Sequence, residues 1–158
     1  KHKGPASVRY PRGKGPGVSV NTDNLDELPI GKAEIRLQGS KLAILAFGSM
    51  VTPAMEAGQQ LGATVVNMRF VKPIDAAMVG EVAANHSLLV TVEENAVMGG
   101  AGSAVAEALA AQGLAVPLLQ LGLPDSFVDH GDSAQLLASI GLDGAGIAAA
   151  IRRRLGST

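Results

Sequence analysis

The sequence of 158 residues contains no cysteine and no tryptophan, and aromatic residues make up only 3% of it. The absence of cysteine excludes disulfides, thiolate metal sites and a cysteine nucleophile, and it is compatible with a reducing, cytoplasmic setting. With so few aromatics, the core has to be built from Ala, Val, Leu and Gly. Hydrophobic residues reach 47% and charged residues 17%, so we expect one ordinary domain with a substantial core.

Long apolar runs are also lacking, as is a recognisable leader. No run approaches the roughly 18 consecutive apolar residues of a membrane span. The first residues, KHKGPASVRYPRGKG, have no apolar centre of a signal peptide. We therefore expect no membrane association, and the missing initiator Met suggests a chain that begins within a longer protein.

Acidic residues are absent from the first 22 positions, which hold five Lys and Arg residues. The rest of the chain carries eight basic and fourteen acidic residues, a net charge of −6. A basic arm on an acidic body favours phosphate ligands. Five charges with a single Tyr are too thin a pattern for nucleic-acid binding, so we predict no nucleic-acid partner.

Strand and helix patterns alternate from Gly31 onward. Residues 33–37 alternate apolar and polar side chains, as in a strand at a sheet edge, and they could form an antiparallel hairpin with the apolar strand that follows. Further strands are predicted over residues 42–47, 64–70, 88–92 and 116–121, and helices after Thr52, after Asp75, from Ser103, after Asp132 and around Ile147 to Leu155. This order predicts a three-layer α/β/α sandwich with a mostly parallel five-stranded sheet and one antiparallel edge strand.

The stretch LLVTVEENAVMGGAGSAVA, residues 88–106, has the layout of a ligand-facing sheet edge: a buried strand, a polar tip, a glycine turn and a helix. Glu93 and Glu94 form the tip, and Gly99, Gly100 and Gly102 form the turn. The glycine spacing matches no phosphate fingerprint, and the carboxylates would repel a phosphate. The carboxylates could bind a cation or a partner's amides or be solvated, and the glycines could simply permit a close turn. We therefore treat these five residues as possible interface or structural-turn residues and predict no metal site.

One arginine near the start of the chain is suited to anion binding. Arg12 follows Pro11 directly, after the short strand pattern ASVRY. A guanidinium held by a rigid proline presents a fork of donors that matches phosphate or carboxylate oxygens. The alternative is an exposed arginine in a linker.

Six segments taken together resemble the carboxy-terminal part of the 1-deoxy-D-xylulose-5-phosphate synthases, a family of transketolase-like thiamine diphosphate enzymes. They are GPASVRYPRG, LPIGKAEI, LAILAFGSM, VVNMRFVKPID, LLVTVEENAVMGGAGSAV and LQLGLPDSFVDHG. MRFVKPID together with TVEENAVMGGAGS is the most specific part. The resemblance implies a transketolase C-terminal-like domain over residues 31–158, a linker over 14–30, and the end of a pyrimidine-binding domain over 1–13.

The resemblance also implies a reaction. Pyruvate is decarboxylated on thiamine diphosphate and its two-carbon unit is transferred to glyceraldehyde 3-phosphate, which feeds isoprenoid and thiamine biosynthesis. Thiamine diphosphate and Mg²⁺ would be held by the preceding portion of the polypeptide, within a cytoplasmic homodimer. Arg12 matches the family arginine that contacts the phosphate of glyceraldehyde 3-phosphate, and Tyr10 is a weaker candidate beside it. The resemblance places no catalytic residue in this chain, which we expect to be inactive alone.

Two other functions stay open. The chain could be part of a beta-type subunit of a pyruvate dehydrogenase, which would hand its acyl group to lipoamide and not to a phosphorylated aldehyde. It could also be a non-catalytic interaction module that binds a partner through the edge strand near residues 33–37 and the acidic turn.

Overall fold

A computed structural model describes residues 2–8, 10, 17, 23 and 27–156. Most of the chain from Gly31 onward lies in regular elements. The strands are β1 (Glu34–Leu37), β2 (Leu42–Ala46), β3 (Thr64–Asn67), β4 (Leu88–Ala96) and β5 (Leu118–Leu123). The helices are α1 (Val51–Leu61), α2 (Ala76–Asn85), α3 (Ala101–Ala111), α4 (Ser133–Ser139) and α5 (Gly144–Leu155), and a short 3₁₀ helix, Gly48–Met50, leads into α1.

The five strands form one sheet in the order β1-β3-β2-β4-β5. Strand β1 is antiparallel to β3, and every other pair is parallel. This confirms the mostly parallel sheet with one antiparallel edge strand. The predicted hairpin between β1 and β2 is wrong, because β3 lies between them.

The turn between β1 and β2 explains why the hairpin does not form. The backbone N–H of Gly39 donates to Thr64 Oγ1 over 3.1 Å, which fixes this turn against the first residue of β3. A Cβ at Gly39 would collide with the backbone of Gly62 and Ala63, so the turn lies directly on the end of the α1–β3 connection. The turn therefore carries the chain past the start of β3, so that β3, and not β1, pairs with β2.

The sheet separates two apolar layers, which confirms the three-layer sandwich. Side chains of β2 alternate between the layers: Leu42, Ile44 and Ala46 face α1 and α5, whereas Ala43 and Leu45 face α2 and α3. A strand covered by helices on both faces needs apolar residues at every position. This is why the sequence of β2 is a continuous apolar run and not an alternating one.

Several helix ends have the caps that their sequences favour, and the start of α1 does not. Asp75 and Asp132 cap α2 and α4, as predicted, by accepting hydrogen bonds from the backbone N–H groups of Met78 and Gln135. Helix α1 does not begin after a Thr52 cap, because the 3₁₀ helix continues into it and Met50 occupies the cap position. Helix α1 ends at Gly62, which has the left-handed backbone (φ 62°) that glycine adopts without strain.

Asp75 also anchors the entry of the chain into the domain. Its buried carboxylate accepts hydrogen bonds from the N–H groups of Ala33 (3.0 Å) and Met78 (3.1 Å), and Lys32 Nζ lies 3.7 Å away. Burial alone would raise the pKa of Asp75, but the two backbone hydrogen bonds and the positive charge of Lys32 hold it below its ordinary value. The ionised carboxylate thus joins the start of β1 to the start of α2.

One stretch, Ser133–Leu155, is long and apolar enough to cross a membrane by length and composition alone. It is not a continuous helix, because α4 and α5 are separated by Gly141, whose φ is 75°. Ile147 and Ile151 of α5 are buried in the layer that contains α1. In this fold the stretch supplies one side of the core.

Candidate functional site at the carboxyl edge of the sheet

Glu93 is the most deeply buried acid of the predicted ligand-facing edge. Strand β4 was predicted to end at Val92 but continues to Ala96, so Glu93 lies within the strand and is only 3% exposed. Its two carboxylate oxygens accept hydrogen bonds from the backbone N–H groups of Ala101 (2.7 Å) and Gly102 (2.8 Å). These N–H groups belong to the first turn of α3, where helical donors have no partner within the helix. Glu93 therefore anchors α3 to the strand before it.

The glycine turn fits closely around that carboxylate. A Cβ at Gly100 would collide with Glu93 Oε2 and with the carbonyl oxygen of Ala96. Gly99 has φ 70°, a left-handed conformation that other residues rarely adopt. The turn therefore lies directly against the Glu93 carboxylate, and a side chain at Gly100 has no room there.

Gly102 is crowded by two buried polar groups. A Cβ there would lie 2.5 Å from Thr91 Oγ1 and 2.8 Å from Gln120 Nε2. These two atoms have no hydrogen-bond partner among the described residues, and Thr91 is 0% exposed. Thr91 and Gln120 are paired across β4 and β5. The start of α3 therefore packs against two polar side chains of the sheet. The sequence did not predict this contact, because each of the two residues occupies what looks like an ordinary strand position.

Glu94 points to a different partner. It is half-buried, and its Oε2 accepts a hydrogen bond from the hydroxyl of Ser49, in the 3₁₀ helix after β2. Parallel strands β2 and β4 are neighbours, so their carboxyl ends meet at the same edge of the sheet. Ser49 was not predicted as part of the site, although its position directly after a central strand was a signal for it.

A second polar group at this edge surrounds the end of β3. Arg69 has φ 57°, and its backbone N–H donates to Asn67 Oδ1 over 3.1 Å. Its guanidinium pairs with Glu34, at the start of β1, which Arg36 also contacts at 3.4 Å. The ion pair between Arg69 and Glu34 links the end of β3 to the start of β1 at the antiparallel edge of the sheet. Neither Arg69 nor Glu34 was predicted as a site residue.

The two residues predicted to bind the substrate phosphate are not brought to this edge by any described contact. Arg12 lies outside the described residues. Tyr10 is described and is 81% exposed. Their roles stay predictions.

Metal ligands are not gathered in the described part of the chain. No three His, Asp or Glu side chains within it come close enough together to hold an ion. His86 has Nε2 2.8 Å from Thr64 Oγ1 and Nδ1 2.8 Å from the carbonyl oxygen of Val82. The imidazole thus joins the end of α2 to the start of β3. His130 is exposed in the loop after β5.

Residues 31–147 match the family described as the transketolase C-terminal domain. A solved structure titled "Split gene transketolase, inactive beta4 tetramer" is 33% identical in sequence, with a TM-score of 0.74. That similarity covers 87% of this chain and 46% of the solved one.

Curated relatives are more similar in sequence. Proteins named 1-deoxy-D-xylulose-5-phosphate synthase from Nitrosomonas europaea and Thioalkalivibrio sulfidiphilus are each 60% identical, over 95% and 96% of this chain. The protein of that name from Methylobacillus flagellatus is 58% identical over 98% of the chain. The chain spans about a quarter of the length of these relatives, 24% to 25%.

Proposed function

The chain belongs to the transketolase C-terminal domain family, and from that membership we propose that it is the carboxy-terminal segment of a 1-deoxy-D-xylulose-5-phosphate synthase. The synthase condenses pyruvate with glyceraldehyde 3-phosphate, with loss of CO₂. The observation that carries the proposal is identity of 58% to 60% with relatives of that name over nearly the whole chain. Identity this high at full coverage of the chain goes beyond likeness of fold.

Thiamine diphosphate and Mg²⁺ do not fit the described residues. The acid best placed at the carboxyl edge, Glu93, already accepts two hydrogen bonds from α3, and Glu94 accepts one from Ser49. No step of the reaction on the cofactor is therefore assigned to residues of this chain. We propose that the preceding portion of the polypeptide binds the cofactor and the metal. This segment would contribute structure, assembly and recognition of the acceptor phosphate.

The proposed recognition of the acceptor can be tested with substitutions in this chain. Arg12 would bind the phosphate of glyceraldehyde 3-phosphate through its fork of donors. In the longer polypeptide, Arg12→Ala should raise the KM for glyceraldehyde 3-phosphate by about 10- to 100-fold, since a hydrogen bond to a charged group contributes about 1.5–3 kcal/mol. The KM for pyruvate should stay within about twofold, because pyruvate carries no phosphate.

Arg9→Ala is the matched control, since it removes a neighbouring arginine and the same unit of charge. A similar rise in both KM values for Arg12→Ala, or an equal effect of Arg9→Ala, would contradict the role of Arg12. Replacing the aldehyde with lipoamide tests the dehydrogenase alternative. Acetyl transfer to lipoamide, with no product from glyceraldehyde 3-phosphate, would overturn the proposed function.

A further inference from the structure

The hydroxyl of Thr64 lies between two segments that are far apart in the sequence. Its Oγ1 accepts a hydrogen bond from the backbone N–H of Gly39 over 3.1 Å, and it lies 3.2 Å from the carbonyl oxygen of Gly39 and 2.8 Å from Nε2 of His86. Thr64 is only 1% exposed. A hydroxyl has one proton to donate and two lone pairs that accept. Its proton can therefore serve the carbonyl oxygen or the imidazole, but not both.

The second ring nitrogen of His86 determines which forms of the imidazole fit this arrangement. Nδ1 lies 2.8 Å from the carbonyl oxygen of Val82. A carbonyl oxygen only accepts hydrogen bonds, so Nδ1 carries a proton. In a neutral ring Nε2 is then an acceptor, and the Thr64 hydroxyl donates to it. In a charged ring Nε2 also carries a proton and donates to the hydroxyl, whose own proton is then directed to the carbonyl oxygen of Gly39.

The surroundings of His86 give protons access to the ring. His86 is half-buried and lines a cavity of about 210 Å³ together with Thr64 and the turn between β1 and β2. Glu81 is the one charged side chain among the described residues that line this cavity, and the exposed Lys41 follows the turn. His86 also occupies the C-cap position of α2, so a charged ring meets the negative end of the helix dipole. Histidine gains and loses its proton between about pH 5 and about pH 8, which makes both arrangements accessible.

We propose that His86 is a proton-binding site that switches the Thr64 hydroxyl between two acceptors. When the ring is neutral, the hydroxyl donates to Nε2, and the carbonyl oxygen of the exposed Gly39 is left to solvent. When the ring binds a proton, all three contacts of Thr64 become hydrogen bonds, and Gly39 is held through both its N–H and its carbonyl oxygen. This turn packs on the connection between α1 and β3. The switch therefore acts on the turn that places β1 at the antiparallel edge of the sheet.

Nuclear magnetic resonance on the 158-residue chain tests the switch without any substrate, so its outcome is independent of the proposed function. As the pH falls from about 8 to about 5, the carbonyl carbon resonance of Gly39 should shift downfield, because its oxygen gains a hydrogen bond. Its midpoint should equal that of the ring resonances of His86. At the alkaline end the ring nitrogen resonances should show a proton on Nδ1 and none on Nε2. A proton on Nε2 at that end, or a Gly39 resonance that does not follow His86, would overturn the switch.

Substitutions separate the role of the hydroxyl from that of the ring charge. His86→Gln should abolish the response of Gly39, whereas His130→Gln, in the exposed loop after β5, should leave it unchanged. Thr64→Ser keeps the hydroxyl and should keep the response. Thr64→Val removes the hydroxyl and should abolish the response while the ring of His86 still titrates.

A response that persists in Thr64→Val would mean that Gly39 senses the ring charge through space, and it would overturn the switch. Equal loss of the response in the two histidine variants would overturn it as well. The ring nitrogen measurement uses the wild-type chain, so it decides between the two outcomes even where a variant fails to fold.

Discussion

A single carboxylate determines how the acidic turn is organised. Glu93 was read from the sequence as one of two acids at the tip of a strand, open to a cation or to a partner's amides. In the fold it accepts two N–H groups of its own chain, from the helix that begins eight residues later. Sequence reasoning found the strand, the turn and the helix, but spacing alone could not show that the carboxylate folds back onto the helix start.

Removing the charge of Glu93 should destabilise the domain. Glu93→Gln keeps the shape of the side chain but replaces one acceptor oxygen with a donor facing a buried N–H. We expect a loss of about 2–4 kcal/mol in the free energy of unfolding, from a lost charged hydrogen bond and an unsatisfied buried donor. Urea denaturation measures it. Glu94→Gln, at the half-buried neighbour, should cost less than about 1 kcal/mol, and equal costs for both variants would contradict the anchor role.

Asp75 makes a prediction about acid. Its pKa is lowered in the folded state, so its stabilising effect is present above the ordinary value of 3.8 and is lost as the pH falls through the folded value. The free energy of unfolding of the wild type should therefore fall as the pH drops below the ordinary carboxyl range, and Asp75→Asn should show a shallower fall. Urea titrations across this range measure both curves. Parallel curves would mean that Asp75 contributes nothing to the loss of stability at low pH.

At the scale of elements, the contact between α3 and the sheet depends on the absence of a side chain at Gly102. Gly102→Ala should destabilise the domain by about 1–3 kcal/mol despite the better helix propensity of alanine, because its Cβ meets Thr91 and Gln120 inside a packed layer. Gly80→Ala in α2 is the matched control. Its Cβ meets only the side-chain amide of Gln112, whose Nε2 donates to the carbonyl oxygens of Ala76 and Ala108. Shifting that amide offsets the gain in helix propensity, so Gly80→Ala should change the free energy of unfolding by less than about 1 kcal/mol in either direction.

Thermal unfolding followed by circular dichroism compares the two glycine variants. Adding Thr91→Ala to Gly102→Ala should recover part of the loss, because it removes the nearest atom that the new methyl group meets. If Thr91→Ala has the same effect in both backgrounds, the crowding at Gly102 has another source.

Most elements could be predicted from periodicity and capping, and the errors share a cause. The helix starts after Asp75 and Asp132 depend on local capping chemistry, and they were predicted. The pairing of β1 depends on contacts between Gly39 and Thr64, which are far apart in sequence. This pairing was not predicted. The length of β4 was missed for a related reason. Its last residues, from Glu93 to Ala96, are polar or small and stay in the strand because the pairing of Ala96 with Leu123 holds them beside β5.

At the scale of the whole molecule, the buried apolar side chains of the described residues all lie between positions 42 and 151. Deleting residues 1–26 should therefore change the Tm by no more than a few degrees, whereas Ile151→Ala should cost about 2–5 kcal/mol because it opens a cavity between α5 and the sheet. Calorimetry compares the two. A large loss of Tm in the deletion variant would show that the amino-terminal segment packs on the core.

The last helix of the chain covers the first. Ile147 and Ile151 of α5 lie in one buried layer with Ala54 and Ala57 of α1, and Gly144 is so close to Glu56 that a Cβ there would collide with it. During translation, α1 leaves the ribosome about ninety residues before its cover has been made. The part of this layer that α5 covers therefore stays open to water until α5 has been made, and a chain that stopped before Gly144 would leave the apolar side chains beneath α5 exposed.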